Sequence, residues 1–232
     1  VSTKMKAEFE AYNFKAAWRA LSEFAIQDLS AFYFDVRKDC LYCDAPTSTK
    51  RRATRTVMAI LLDAITRLLA PICPFTAEEV YDHFPEGLGE KRESVHLLQF
   101  ADVPEAYRNP ELAERWDALR GVRRVITGAI EVQRNEKTIG ASLEAETTIY
   151  LDDEDDDLDT DDIDWAELSI TSQATVVKGK SSESVFTLPD QPGVGVMIRK
   201  AQGNKCGRCW KILSDVPYEG GLCARCQEVV GA

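Results

Sequence analysis

The sequence predicts a mainly α protein, in which an antiparallel helical bundle precedes a small α+β module with a terminal four-cysteine finger. Three observations lead to this fold class. Apolar residues recur every three or four positions as far as Asn135. Short segments rich in β-branched residues and bounded by Gly, Pro and Ser then follow. Four of the seven cysteines form two Cys-x2-Cys pairs near the end of the chain.

Two long helices are expected in the first part of the bundle, over residues 14–36 and 48–70. Asn13 is the expected N-cap of the first helix, and its buried stripe comprises Phe14, Trp18, Leu21, Ala25, Leu29, Phe32 and Val36. Pro71 and Pro74 end the second helix, because proline has no N–H to donate and clashes inside a helix. Its inward residues are expected to be Val57, Leu61, Ile65, Leu68 and Leu69.

Two further helices complete the expected bundle. Thr76 is expected to cap a short helix, with Glu79 three residues later completing a capping box. A long helix is expected to begin at Asn109-Pro110, a capping residue followed by a proline in the first turn. The stripe of this helix is Leu112, Trp116, Leu119, Val122, Ile126 and Ala129. Helices of this length with short connections pack as an antiparallel bundle.

The pattern changes after Asn135, where strands are expected over residues 147–151, 168–177, 185–188 and 194–201. We therefore expect three domains. A helical bundle occupies residues 1–136, a small α+β junction module residues 137–201, and a four-cysteine finger residues 202–232.

Charge is distributed unevenly along the chain. The 232 residues carry a formal charge of −11, but residues 152–164 alone hold ten acidic side chains and no basic one. The rest of the chain is nearly balanced, so a polyanionic partner is not excluded. The acidic tract is interpreted as a solvated, self-repelling loop, since it lacks the glycine-containing spacing of an EF-hand.

The chain shows no signal peptide and no apolar run of membrane-spanning length, which favours a cytoplasmic protein. It begins with Val1 instead of Met, so we expect a fragment of a longer protein. Paired Cys-x2-Cys motifs in a chain without an export signal indicate metal binding in a reducing compartment.

The terminal cysteines have the spacing C-x2-C-x13-C-x2-C and are Cys206, Cys209, Cys223 and Cys226. Two residues between thiolates allow one tight turn to direct both sulfurs at a single ion. Four thiolates suit one structural Zn²⁺ ion. An iron site of the rubredoxin type is the alternative, and a catalytic zinc is disfavoured because no ligand position would be open.

Two basic regions are candidate nucleic-acid contacts. In the finger, Arg208 and Trp210 adjoin the first cysteine pair, with Lys205, Lys211 and Arg225 close in sequence. The indole either covers the sulfurs or stacks on an unpaired RNA base. Lys50, Arg51, Arg52 and Arg55 open the second long helix and either contact phosphates or form a solvated face. Arg120, Arg123 and Arg124 are a weaker candidate of the same kind.

The remaining reactive residue types are assigned to structure. Cys40, Cys43 and Cys73 have no second pair and are expected to behave as small buried hydrophobes. His83 and His96 have no nucleophile or carboxylate dyad near them in the sequence, so no catalytic residue is expected.

Several long segments, in order, resemble the C-terminal region of the bacterial isoleucyl-tRNA synthetase family. "DLSAFYFDVRKDCLYCDAP" (28–46) and "RRATRTVMAILLDAITRLLAPICPFTAEEVY" (51–81) resemble its anticodon-binding helical domain. "ESVHLLQF" (93–100) and "RNEKTIGASLEA" (134–145) are similar to its linking segments, and "KCGRCWKI…GLCARC" resembles its terminal zinc finger. The resemblance covers nearly the whole chain.

The resemblance implies ATP-dependent attachment of isoleucine to its tRNA, with this region holding the anticodon end. The implied partners are isoleucine tRNA and the catalytic and editing domains of the same polypeptide, in a monomer that binds neither membrane nor DNA. The H-I-G-H and K-M-S-K-S signatures of the catalytic domain are missing, and the acidic tract replaces a more ordinary amphipathic segment. Two other classes stay open: the DNA-binding tail of a repair glycosylase and a protein-binding zinc ribbon.

Overall fold

The computed structural model describes residues 1–152, 158, 160–181 and 183–231. These residues divide into two compact units. The first unit comprises Val1–Leu41 and Ala45–Arg108, and the second comprises Tyr42–Asp44 and Asn109–Ala232. In the described part of the chain, no helix combines the length and the apolar character needed to cross a membrane. Much of the acidic tract, residues 153–157 and 159, lies outside the described residues.

The first unit is helical. Its elements are α1 (Ser2–Glu10), α2 (Phe14–Glu23), a π-helical stretch (Phe24–Phe34), α3 (Asp35–Cys43, whose last residues belong to the second unit), α4 (Thr49–Leu69), α5 (Pro74–Asp82) and short 3₁₀ turns at Val95–Leu97 and Glu105–Tyr107. The helical run that starts at Phe14 therefore extends beyond the expected end at residue 36, and its middle is wound as a π-helix. The sequence analysis did not predict α1.

Polar side chains cap the starts of α2 and α4. Asn13 accepts a hydrogen bond from the backbone N–H of Ala16, and Ser48 accepts one from Arg51. The expected cap at Thr76 is wrong, because α5 begins earlier, at Pro74. Proline fits the first turn of a helix, where its missing N–H would have had no partner, so the helix starts there without a side-chain cap.

The buried stripe of the first long helix is rotated from the expected one. Leu21, Leu29 and Val36 are buried as expected, but Phe14 and Trp18 are exposed. The core cluster consists of Met5 from α1, Ala17, Ala20 and Leu21 from α2, and Leu68 from α4. The two alanines let α1 approach closely, which turns the neighbouring large aromatic side chains outward. In α4 the expected core residue Val57 is also exposed.

The second unit packs a long helix on a four-stranded sheet. Helix α6 (Pro110–Asn135) begins after Asn109, whose side chain accepts the N–H of Leu112, as the sequence predicts. The sheet strands are β1 (Ala145–Leu151), β2 (Gln173–Lys178), β3 (Phe186–Leu188) and β4 (Gln191–Lys200), in the order β2-β1-β4-β3. Strand β1 pairs in parallel with β2 and antiparallel with β4. The face of α6 that includes Leu119, Val122 and Ile126 is buried, whereas Leu112 is exposed.

The strand expected over residues 168–177 begins late, at Gln173. The preceding residues form α7 (Trp165–Leu168), because the Asp164 side chain accepts the N–H of Glu167 and caps a helical turn. The module ends in a finger made of β5 (Asn204–Lys205), β6 (Ile212–Leu213) and α8 (Ala224–Val230). Helix α6 belongs to the same compact unit as the sheet. The domain boundary expected at 136/137 stays a prediction.

The described residues at the ends of the acidic tract have partners. Asp162 accepts hydrogen bonds from both terminal nitrogens of Arg115, and this pairing lowers the pKa of the Asp162 carboxyl. Asp152 forms an ion pair with Lys180 at 2.9 Å. Together with the cap at Asp164, these contacts give the described residues at both ends of the tract partners within the protein, and the interpretation of the tract as a solvated loop stays a prediction.

Candidate metal centre and nucleic-acid interface

A short hairpin positions the first cysteine pair. The backbone N–H of Cys206 donates to the carbonyl of Lys211 at 2.9 Å, and that of Trp210 donates to the carbonyl of Cys206 at 3.0 Å. Gly203, before β5, has φ 118°, and a Cβ there would lie 2.2 Å from the carbonyl oxygen of Leu213. Only glycine fits this position, so the local sequence is suited to a tight approach of β5 to β6.

The second cysteine pair lies at the start of α8. Cys223 directly precedes the helix, and Cys226 lies in its first turn. The carboxylate of Asp215 accepts the N–H of Ala224 at 2.9 Å, which anchors the start of α8 to the loop after β6. The N–H of Gly207 donates to the carbonyl of Gly221 and connects the two halves of the finger.

The four sulfurs converge as the spacing predicts. The Sγ atoms of Cys206, Cys209, Cys223 and Cys226 all lie within 4.8 Å of one another, and all four residues are buried. None of them forms a disulfide. The Sγ atoms of Cys209 and Cys223 are 3.8 Å apart. Four thiols gathered this closely in a buried site can hold a metal ion.

The protein environment shifts the pKa values of Cys206, Cys209 and Cys223 in different directions. Burial opposes ionisation of Cys206, but hydrogen bonds from the backbone of Cys209, Cys223 and Arg208 outweigh it and lower the pKa of Cys206 to about 6. One of these bonds is the N–H of Cys223, 3.4 Å from the Cys206 Sγ. Burial raises the pKa of Cys209 and of Cys223. A bound cation is what would allow all four sulfurs to be thiolates together.

The Arg208 side chain reaches the segment Tyr42–Asp44 of the same unit. Its Nη1 donates to the carbonyl of Cys43 at 2.6 Å, and its Nη2 donates to the carbonyl of Tyr42 at 3.0 Å. Nη1 also lies 3.7 Å from the Sγ of Cys226, and this hydrogen bond raises the pKa of Arg208. The guanidinium therefore connects a metal-ligand candidate to two backbone carbonyls.

Two further contacts hold this segment at the finger. Cys43 is buried in the same apolar cluster as the four terminal cysteines. Asp44 forms an ion pair with Arg225 at 3.5 Å. The contact between Tyr42–Asp44 and the finger was not predicted from the sequence. The signal that could have indicated it is the additional Cys-x2-Cys spacing at Cys40 and Cys43.

Trp210 is exposed at the end of the first cysteine turn. Its side chain is 61% exposed, and its φ of 64° lies in the left-handed region. A bulky residue rarely adopts this conformation. The Nζ of Lys205 lies 6.0 Å from the centroid of the indole ring. Tyr218, in the loop between the two cysteine pairs, is also exposed.

The basic cluster of α4 occupies the first turns of that helix. Lys50, Arg52 and Arg55 are exposed and Arg51 is half-buried. The weaker candidate on α6 has internal partners. Arg123 donates to the carbonyl of Leu168 at 2.8 Å, and Arg124 pairs with Asp190 at 2.8 Å.

The cysteines and histidines that the sequence assigns to structural roles have the following surroundings. Cys40 is buried, and its Sγ lies 3.5 Å from the hydroxyl of Thr54. Cys73 is half-buried directly before α5. The ring of His83 contacts the carbonyl of Glu79 at 2.8 Å, and the Nε2 of His96 lies 3.9 Å from Glu78.

The chain consists of a helical unit followed by a small module with a four-cysteine finger, and comparison with known families identifies the class of protein to which it belongs. Residues 1–149 match the family described as "Anticodon-binding domain of tRNA ligase". This match covers more than half of the chain, and the chain belongs to that family.

The individual relatives are isoleucine–tRNA ligases. The chain is 44% identical over 212 residues to the isoleucine–tRNA ligase of Mesorhizobium japonicum, covering 90% of this chain and 21% of the relative. It is 46% identical over 209 residues to that of Agrobacterium fabrum, with the same coverage. It is 43% identical over 230 residues to that of Ruegeria pomeroyi, covering 98% of this chain and 23% of the relative. The chain thus spans between a fifth and a quarter of the length of these relatives.

Proposed function

We propose that this chain is the tRNA-binding C-terminal region of an isoleucine–tRNA ligase and that it holds the anticodon end of isoleucine tRNA. The aminoacylation itself, the ATP-dependent attachment of isoleucine, is assigned to catalytic and editing domains of the same polypeptide. The observation that carries the proposal is an exposed, conformationally strained tryptophan on a cysteine turn, in a chain of the anticodon-binding family.

The cysteine cluster supports one structural zinc ion. Zn–S bonds of about 2.3 Å place the sulfurs of a tetrahedron about 3.8 Å apart, which equals the distance between the Sγ atoms of Cys209 and Cys223. Bound zinc would balance the thiolate charge and contribute folding free energy, with no coordination position left for substrate. The residues Cys206, Cys209, Cys223 and Cys226 would hold it. Backbone N–H groups, among them that of Cys223, would stabilise the Cys206 thiolate.

The exposure of Trp210 favours a stacking role over a sulfur cover. A side chain that shields thiolates would be largely buried against them, whereas this indole is 61% exposed. Strained backbone conformations cost about 1–3 kcal/mol and cluster at functional sites. Glycine would fit this turn without strain. The presence of tryptophan here is therefore better explained by a role for its ring than by the needs of the turn. Stacking on an unpaired base uses the ring face that solvent now covers.

We also propose phosphate contacts on the first unit. Lys50, Arg52 and Arg55 are exposed, and we assign them, together with Arg51, to the tRNA backbone. Positive charge at a helix start opposes the helix dipole, so the cluster does not stabilise α4 through that dipole. A direct contact between Arg208 and RNA stays a prediction, because two of its nitrogens already donate to backbone carbonyls.

A gel-shift comparison of isoleucine tRNA with duplex DNA of equal charge tests the proposed function. We expect the chain to retard the tRNA and to bind the duplex only weakly at 150 mM salt. A repair-glycosylase tail would favour the duplex, and a protein-binding ribbon would retard neither. The family match does not favour these two alternatives. Equal or tighter binding of the duplex would overturn the proposal.

A further inference from the structure

Tyr42 is an exposed aromatic residue whose backbone is held by the finger. Its side chain is 76% exposed. Its carbonyl accepts a hydrogen bond from the Nη2 of Arg208. The ring is therefore open to solvent while the backbone that carries it is hydrogen-bonded to the finger.

The two residues after Tyr42 also contact the finger and hold this segment against it. Cys43 is buried among the cluster cysteines, and its carbonyl accepts from the other terminal nitrogen of Arg208. Asp44 pairs with Arg225, one residue before Cys226. The three consecutive residues are therefore anchored by a forked guanidinium, an apolar contact and an ion pair. The backbone under the Tyr42 ring is thus held by contacts on three consecutive residues.

Arg208 is the common element between Tyr42 and the cysteine cluster. Its guanidinium contacts the Tyr42 carbonyl on one side and the Sγ of Cys226 on the other. It lies two residues before Trp210, inside the same cysteine turn. The planar fork of arginine suits two neighbouring carbonyls, which the single ammonium of lysine cannot bridge in the same way.

We propose that Tyr42 is a second stacking residue for an unpaired base of the anticodon loop, and that Arg208 is the positioning residue that holds it at the finger. This inference rests on the proposed function. A phenol ring offers a flat face to any base and a hydroxyl for a base edge or phosphate. A backbone that is already ordered lowers the entropic cost of binding. Lys205, Lys211 and Arg225 supply positive charge in the finger.

The choice of single-stranded RNA as the ligand follows from the side chains available in this unit. Exposed rings at Tyr42 and Trp210, interleaved with lysine and arginine, are the combination that binds unpaired bases. A protein partner would instead favour a patch whose buried centre is depleted of charged residues. Here Lys205 lies 6.0 Å from the Trp210 ring, and Arg208 donates to the Tyr42 carbonyl.

The first test removes the ring and then restores it. Tyr42→Ala should weaken binding of isoleucine tRNA by about 5- to 150-fold, the range that loss of one stacked base contact produces. Tyr42→Phe should bind within about twofold of the parent. Phe75→Ala is the matched control, because Phe75 is 90% exposed on α5 of the first unit. It should leave binding unchanged.

A double-mutant cycle tests the positioning role of Arg208. Arg208→Lys should weaken tRNA binding about as much as Tyr42→Ala, and the double variant should be no worse than either single one. Fully additive losses would show that Arg208 acts on RNA independently of Tyr42 and would overturn its positioning role. Metal content should stay at the parental value in Tyr42→Ala. Hydrogen exchange at residues 42–44 should rise in Arg208→Lys.

The outcomes distinguish failure of this inference from failure of the proposed function on which it rests. If Trp210→Ala weakens tRNA binding and Tyr42→Ala does not, the inference is wrong and the proposed function survives. If the parent chain does not bind tRNA, both fail. If Tyr42→Ala weakens binding only together with loss of metal, Tyr42 is a structural residue and the inference is also wrong.

Discussion

Replacing Trp210 with glycine should tighten metal binding relative to alanine while leaving RNA binding equally weak. The reason is the φ of 64° at this residue. Any side chain with a Cβ is strained there, whereas glycine is not. Both variants lose the indole and its contact with Lys205, so those losses cancel in the comparison.

The expected magnitude follows from two opposing effects. The left-handed conformation costs about 1–2 kcal/mol for a residue with a Cβ. Glycine loses about 0.5–1 kcal/mol more backbone entropy than alanine on folding. The net advantage of Trp210→Gly over Trp210→Ala is therefore about 0.5–1 kcal/mol. In a small metal-organised finger, folding free energy is expressed as metal affinity. This difference corresponds to an approximately two- to fivefold tighter zinc affinity.

The assay is competition for zinc against a chromophoric chelator, run on the parent, Trp210→Gly and Trp210→Ala in parallel with tRNA binding. Both variants should bind isoleucine tRNA about 5- to 150-fold more weakly than the parent, to the same extent. Zinc should be held at one ion per chain in all three proteins.

Three results would refute this reasoning. If alanine holds zinc as tightly as glycine, the backbone at this residue is not strained in solution. If both variants lose zinc by the same large factor, the indole covers the sulfurs and its role is structural. If tRNA binding is unchanged in both, Trp210 is not an RNA contact.

The remaining predictions concern the metal and the basic helix. Elemental analysis of protein purified without added metal should find one zinc and no stoichiometric iron per chain; Cys226→Ser should lose it, whereas the control Cys73→Ser, outside the cluster, should keep it. Disulfides among the four cysteines under mild reductant would contradict this site. Neutralising Lys50, Arg52 or Arg55 with glutamine should reduce the slope of log affinity against log salt by about 0.7–0.9 for each phosphate contact removed. The exposed Lys15 of α2 provides the control, and an unchanged slope in all variants would make the cluster a solvated face.

Local sequence signals predicted the parts of the fold that depend on local physics. Asn109 caps α6 and Asn13 caps α2, because a short polar side chain satisfies a backbone N–H two or three residues away wherever the helix packs. The convergence of the four terminal cysteines followed from their spacing in the same way. The predicted cap at Thr76 is wrong, because Pro74 at the first helical turn is the stronger local start signal.

Periodicity was less informative about which side chains are buried. The stripe through Phe14 and Trp18 has helical spacing, but α1 packs on the neighbouring face through Ala17 and Ala20. Spacing identifies a helix and one apolar face. It does not identify which of two adjacent faces permits the closer approach, because that depends on the shape of the partner.

The sequence by itself determined the fold class, the candidate metal ligands, and Trp210 as a candidate RNA contact. Only the tertiary structure decided that Arg208 donates to the carbonyls of Tyr42 and Cys43 and that Asp44 pairs with Arg225. These contacts join residues more than 160 positions apart in the chain. Spacing rules act over a turn or a hairpin, where the covalent chain limits the geometry. The partners of a long, charged side chain are instead selected by whichever carbonyls and carboxylates the folded backbone brings within its reach.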